Sequence, residues 1–340
     1  MAYNTIGRGR AEVHITPADL GRRVSVRRIA GISDERPVFS DVVGVLTSWD
    51  NGVLTVLDRA GEPVLIREDA LVAAKAVPPA PVRRGAGAVA AHRAVEAVEL
   101  ERIAARGWPG TDSEPLGGWT LRSARGFTNR ANSVLTGGDP GLPLDEALAL
   151  ADDWYAARGL PAALQVNTGD PLDAELAARG WTPRASALMQ TAPLAPMVDD
   201  RAAAAAGVLL AREPGAAWLS RYRRVTDPAL APTALAVLLG APSVRFATVP
   251  DPDGGAPLAI GRCAVDGRWA GFAAVEVAPE RRRQGLAVAV MAALARAAAD
   301  EGADLAYLQV EPDNAGAIAL YERLGFSTHH GYHYRVRPTR

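Results

Sequence analysis

The sequence predicts an α+β protein with a small β-barrel at its amino-terminal end, on three observations. Residues 12–77 form short β-prone runs broken by turn residues. Pro78-Pro79-Ala80-Pro81 then interrupts the pattern as a stiff linker. Beyond it, strand-like runs alternate with helical ones up to the last residues, which is the layout of a mainly antiparallel sheet crossed by helices.

In the first part, Val24-Ser25-Val26 alternates as a strand does, and Val42 to Ser48 is β-prone. Val53 to Leu57 follows across Asp50-Asn51-Gly52. Asn-Gly between two such runs signals a hairpin, because a type I′ turn needs positive φ at both positions. Glu62 to Arg67 adds a strand and Asp69-Ala70-Leu71 a closing turn. Such a set of short strands suggests a small barrel.

The middle part reads as a helix from about Ala88 to Ala105, strands at Gly118–Arg122 and Arg130–Leu135, and a helix at Asp145–Arg158 stopped by Gly159. A strand at Leu164–Asn167, a helix at Leu172–Arg179 and a strand at Met189–Leu194 complete it. The last part reads as strands at Gly207–Ala211 and Val244–Val249, then Leu258–Val265 and Trp269–Val277 joined across Asp266-Gly267. A long Ala-rich helix, Gln284–Glu301, ends at Gly302. Leu305–Val310 is a strand, Ala315–Leu324 a helix and Tyr332–Val336 a final strand. Leu172 to Trp181 echoes Ile318 to Phe326, each a short helix ending in Gly plus an aromatic. The segments divide as 1–80, 81–198 and 199–340.

Composition narrows the function classes. Of 340 residues, 49% are apolar and 22% charged, enough for a sizeable core. A net charge of -1 argues against a protein held on nucleic acid by bulk charge. One cysteine, Cys263, permits no intramolecular disulfide and no cysteine zinc cluster, and fits a reducing cytoplasm. The polar start and the lack of a long uncharged apolar run predict no signal peptide and no membrane span.

Two motifs carry chemistry. In the first, Val275-Glu276-Val277 runs through Pro279 and Arg282-Arg283-Gln284-Gly285-Leu286-Ala287 into the long helix. Free N–H groups in a first helical turn, with the helix dipole, make an anion site. Gly285 permits close backbone approach, and flanking arginines can pair with phosphate oxygens. In the second, Asn314 is a natural N-cap, while Ala317, Leu320 and Tyr321 share one helix face and Gly325 stops the helix. Read alone, Tyr321 fits a half-buried core aromatic as well as a catalytic hydroxyl.

Together the motifs, across about Val208 to Arg337, resemble those of the GNAT superfamily of N-acetyltransferases. Arg282-x-x-Gly285-x-Ala287 is similar to the family's Arg/Gln-x-x-Gly-x-Gly/Ala turn. Asn314-x-x-Ala317-x-x-Leu320-Tyr321-x-x-x-Gly325-Phe326 is similar to its tyrosine-bearing helix. The first strands resemble an SH3-like barrel. The order of barrel, middle segment and C-terminal domain resembles an actinobacterial GNAT subfamily described as histone-acetyltransferase-like. Its middle segment is a degenerate GNAT half, and here that segment lacks the Arg-x-x-Gly turn and carries Leu176 where the echo would place the tyrosine.

The resemblance implies direct transfer of acetyl from acetyl-CoA, a co-substrate, to a small-molecule amine or a protein amino group, with no metal. Strand 269–277 should splay from strand 305–310. Backbone of Val275, Glu276 and Val277 would pair with the pantetheine arm, the Val277 N–H would face the thioester oxygen, and Arg282 to Ala287 would hold the pyrophosphate. Asn314 would bond the arm, Tyr321 would act as general acid and Glu276 is the best base candidate. A non-catalytic acyl-CoA sensor and a nucleic-acid-associated protein using the barrel are the alternatives. Oligomeric state stays open, and the acceptor would meet residues of 218–239 and 328–335.

Other candidates are weaker. His329 and His330, adjacent in a strand, should face opposite sides, and with His333 they have no acidic neighbour in the local sequence to suggest a metal site. Cys263 reads as a core residue. Arg22, Arg23, Arg27 and Arg28 form a basic cluster that Asp34, Glu35 and Asp41 offset.

Overall fold

A computed structural model describes residues 13–33, 36–50, 52–58, 63–77, 92–222, 224–225 and 227–337. The Pro78–Pro81 linker, Asn51, Asp34, Glu35 and the start of the helix expected from Ala88 lie outside them. Contacts divide the chain into two units, 1–83 and 84–340.

The first unit holds β1 (Val13–His14), β2 (Arg23–Ser33), β3 (Arg36–Asp50), β4 (Val53–Leu57), β5 (Pro63–Arg67) and β6 (Leu71–Ala76). They form one sheet in the order β1-β6-β2-β3-β4-β5. Asp50 pairs with Val53, which closes the β3–β4 hairpin, and Gly52 has φ 74°. Alternate residues Val24, Val26, Leu54, Val56 and Ile66 are buried and build one core. Arg22 pairs with Asp19 and Arg27 with Asp41, while Arg28 donates to Leu65 O. These arginines are tied to the sheet rather than massed as a free basic face.

The second unit is a single eleven-stranded sheet with helices on it. In chain order it has α1 (Ala97–Gly107), β7 (Asp112–Leu116), β8 (Trp119–Ser123), β9 (Val134–Leu135), α2 (Leu144–Ala156), β10 (Ala163–Asn167), α3 (Pro171–Ala178) and β11 (Thr182–Pro193). Then come α4 (Asp200–Ala205), β12 (Leu209–Ala211), α5 (Ala216–Arg221), α6 (Ala231–Leu239), β13 (Ser243–Val249), β14 (Ala259–Asp266) and β15 (Trp269–Val277). Finally come α7 (Leu286–Asp300), β16 (Leu305–Val310), α8 (Ala315–Arg323) and β17 (Ser327–Val336).

Several expected strands change length. Arg130 lies in a 3-10 turn, Asn129–Ala131, and only Val134–Leu135 remains a strand. β7, a stretch not marked as a strand from sequence, pairs with β8. β11 and β17 run longer than the apolar patterns at Met189–Leu194 and Tyr332–Val336, because each is flanked by strands on both sides and hydrogen bonds to both.

Strand order explains this extension. The centre of the sheet runs β15-β16-β11-β17-β10-β9. β11 thus lies between β16 and β17, and β17 between β11 and β10, so segments 81–198 and 199–340 are interlaced through one sheet. The Leu172–Trp181 echo has a topological counterpart. α3 and α8 each follow a strand that pairs in parallel with an earlier one, β10 with β9 and β16 with β15. Each ends at a left-handed glycine, Gly180 at φ 80° and Gly325 at φ 91°, followed by buried Trp181 or Phe326.

Helix faces follow from their apolar spacing. Leu100, Ile103, Ala104 and Gly107 line the buried side of α1, which packs with Met189, Trp269, Leu305 and Tyr307. α7 buries Ala289 to Ala295 and Ala298 against β13, β14 and β15. It comes close because Gly261 has no side chain: a Cβ there would stand 2.5 Å from Val290 Cγ1.

Candidate active site

The site begins with one extra residue. Between Ile260↔Glu276 and Arg262↔Ala273, two steps on β14 face three on β15. This is a bulge, with Ala274 at φ 53°, a left-handed conformation rare for a residue with a Cβ. The bulge turns β15 away from β16. The two pair in parallel from Trp269↔Leu305 to Phe272↔Leu308 and part beyond, while β16 stays joined to β11 as far as Leu188↔Val310. A V-shaped gap opens with Val275, Glu276 and Val277 on one side.

The turn after β15 supplies an anion-binding geometry. Arg283 at φ 64° and Gly285 at φ 80° wind the chain tightly into α7, which has no side-chain cap. Its first helical backbone bond is from Ala289 N to Gly285 O, so the N–H groups of Leu286, Ala287 and Val288 have no partner inside the helix. Arg281, Arg282 and Arg283 make no ion pair among the described residues. A cavity of about 900 Å³ lies here. Val275, Val277, Arg282, Arg283, Gly285, Leu286 and Ala287 line it; Gln284, fully in the turn, does not.

The opposite wall is α8. Asn314 caps it, with Oδ1 accepting from Ala317 N at 3.2 Å. Ala317, Leu320 and Tyr321 face the cavity. The Tyr321 ring stands edge-on to Phe326 with centroids 5.9 Å apart. Burial raises the pKa of its hydroxyl.

A second cavity, of about 570 Å³, meets the first at Val275, Glu276, Asn314, Ala317 and Tyr321. Its other walls include Tyr222, Tyr332 and Tyr334, from the segments expected to meet an acceptor. Burial pushes the Tyr222 and Tyr334 hydroxyls up to about 12. Trp108, Arg130 and Ser186 also line it, and sequence reasoning did not find them. They stand about 90 to 170 residues before Val275 in the chain, and the placing of β11 between β16 and β17 joins their segment to the same sheet. The equivalent gap in the first half, by Leu135 and Gln165, holds about 10 Å³. Arg102 Nη2 donates to Gly137 O beside it.

The two histidines depart from expectation. Met189 pairs with His330 and Gln190 with Thr328, which leaves His329 as an extra residue. This second bulge cancels the alternation, so both rings reach one side of the sheet. His333 instead bonds Asp173 Oδ1 at 2.8 Å. Among the described residues no cluster of His, Cys, Asp and Glu is arranged to hold a metal. Cys263 is buried, and burial pushes its thiol up to about 12. No helix among the described residues is long and apolar enough to cross a membrane.

Comparison with known proteins agrees with this geometry. Residues 95–335 match the family model "Probable histone acetyltransferase Rv0428c C-terminal". Residues 18–75 match "Rv0428c N-terminal Sm-like domain", so the small β-domain expected to be SH3-like is described as Sm-like. The chain is 32% identical over 334 residues to "Probable histone acetyltransferase Rv0428c" of Mycobacterium tuberculosis, covering 94% of this chain and 95% of that one. It is 28% identical over 246 residues to "Uncharacterized N-acetyltransferase YobR" of Bacillus subtilis, covering 70% and 98%. A solved GCN5-related N-acetyltransferase from Kribbella flavida matches at 18% identity and TM-score 0.47, over 72% of this chain and 96% of that one, and the assignment does not rest on it. With the bulge, the uncapped helix start and the tyrosine helix in register, and with a family model spanning residues 95–335, the chain belongs to the Rv0428c C-terminal family of GNAT-type N-acetyltransferases.

Proposed function

We propose that this protein moves the acetyl group of acetyl-CoA directly onto an amine, with donor and acceptor held in the two cavities that meet at Tyr321. The observation that carries the reading is that junction: one tyrosine hydroxyl and one open strand edge are common to both cavities. The residues present fit the donor. The helix N-terminus and Arg281 to Arg283 suit a pyrophosphate, and the free edge of β15 suits an extended chain of amides.

Backbone directions support the oxyanion assignment. Ala278 N donates to Leu258 O at 2.8 Å, toward β14. Alternation along the strand then turns the N–H of Val277 toward the open side, where it can stabilise charge developing on a thioester oxygen. Asn314 uses Oδ1 as a cap, which leaves Nδ2 to donate to the arm. Tyr321 stays protonated at neutral pH and can give its proton to a leaving thiolate of pKa roughly 8.5, taking cysteine as the guide. Glu276 borders both cavities and is the candidate to receive the amine's proton. The division of labour proposed for the second unit is one active site, in 199–340, with 81–198 walling the acceptor cavity. The Mycobacterium tuberculosis relative is named a probable histone acetyltransferase, which points to a protein amino group as one acceptor class.

Thiol release from acetyl-CoA against an amine panel tests the reading. Tyr321→Phe should lower kcat by about 10²-fold while leaving CoA affinity near wild type, and Glu276→Gln should lower it by a similar factor. Tight CoA binding with no amine-dependent thiol release from the wild type would instead indicate a CoA sensor.

A further inference from the structure

The Trp108 end of the acceptor cavity gathers two guanidinia, and two buried polar groups there have no hydrogen-bond partner among the described residues. Arg262, on β14, is 1% exposed. Its Nε donates to Leu238 O at 2.7 Å, and its buried Nη2 has no hydrogen-bond partner among the described residues. It makes no ion pair among the described residues, and Tyr307, Cys263, Arg130 and Tyr222 stand near its charge. Burial lowers its pKa to about 10, so it remains a cation at neutral pH.

Arg130 is a second cation at the same place. Its guanidinium lies 4.6 Å from the centre of the Trp108 ring, and that of Arg262 lies 5.1 Å from it. Arg130 Nη1 donates to the neutral Gln309 Oε1 at 2.7 Å. Tyr222, 4% exposed, adds a buried hydroxyl with no partner among the described residues. Arg262 lines a water-sized pit of about 10 Å³ whose walls include Arg130, Phe272 and Ala273. Those three also line the 570 Å³ cavity, so the pit abuts it. Ala273 adjoins the bulge at Ala274, and Glu276 stands three residues on.

A buried guanidinium without an anion is costly, and its planar fork suits a carboxylate. The cavity's carboxylates are elsewhere engaged or across the gap: Glu311 faces Arg224 at 3.7 Å, Asp313 adjoins the Asn314 cap, and Glu276 borders the donor cavity. We propose that the acceptor is an amino carboxylate, whose carboxylate binds Arg130 beside Trp108, where the cavity abuts the Arg262 pit, while its amine points toward Glu276. This rests on the acetyltransferase reading above and names its substrate class. A lysine-rich peptide carries charge of the wrong sign for this end of the cavity.

The test uses the full chain with saturating acetyl-CoA and measures released thiol. Acceptors are matched pairs that differ only in the carboxylate: lysine and cadaverine, phenylalanine and phenethylamine, β-alanine and ethylamine. A lysine-rich peptide is the further arm. For the pairs that react, the carboxylate member should have the higher kcat/KM, by on the order of 10²-fold and mainly through KM. Arg130→Gln, at a partly exposed position, should bring the ratio within each pair close to one while leaving the KM for acetyl-CoA unchanged. If the decarboxylated members or the peptide are equal or better acceptors, the proposal is wrong and the transferase reading stands. If no amine releases thiol although acetyl-CoA binds, the transferase reading fails and the proposal with it.

Discussion

Nδ1 of His329 lies 2.8 Å from Nδ1 of His330. Neighbours on a regular strand point to opposite faces, and the bulge against Met189 and Gln190 removes that constraint. His329 Nε2 donates to Val95 O at 2.9 Å, so its Nδ1 is the acceptor. His330 Nδ1 then donates to His329, and its Nε2 meets Glu101 Oε1 at 2.8 Å. Glu101 also accepts from Gln165 Nε2, and Gln165 Oε1 accepts from the fully buried Arg122 at 3.0 Å. A polar chain thus pins α1, which walls the site through Trp108 just beyond its end, to β10 and β17.

Breaking that chain should destabilise the fold. Glu101 is 4% exposed, and His330→Ala removes a polar partner of its carboxylate. A buried polar group that loses its hydrogen-bond partner costs about 1–3 kcal/mol. Urea unfolding of the variant should show that loss, and a change below about 0.5 kcal/mol would refute the pinning role.

Stability should also fall on mild acidification. Burial lowers the pKa of His92 and His329 below the ordinary value, first through desolvation in both cases. The unfolded chain therefore takes up protons before the folded one does. The contribution of each group is complete above pH about 6.5 and declines as pH drops below it. Thermal unfolding followed from pH 7.5 to 5 should give a falling Tm, with a shallower slope in His92→Asn.

The interlaced sheet makes a prediction about fragments. Residues 199–340 alone lack β11, so β16 and β17 would lose the strand that separates and joins them and expose long edges. That fragment should aggregate or expose apolar surface, whereas 84–340 should fold cooperatively. Dye binding and dispersion by NMR distinguish the outcomes, and a well-folded 199–340 would show that β11 is dispensable.

The sequence by itself determined most of the elements and the two motifs that border the candidate site. Turn glycines, helix caps and apolar spacing act within a few residues, so Gly52, Gly285, Asn314 and Gly325 were readable one by one. The two motifs are local for the same reason, since each is a single turn and the helix beside it. Tertiary structure decided the rest. The strand exchange of β11 and β17 depends on pairing between residues more than a hundred positions apart. Ala274 and His329 are bulges, and a bulge exists only relative to the partner strand's register. Arg262 looks from sequence like an ordinary strand residue, and Arg130 like the first residue of a strand. Their convergence on Trp108 arises from the packing of β14, α1 and the loop after β8 around one indole, which no spacing along the chain encodes.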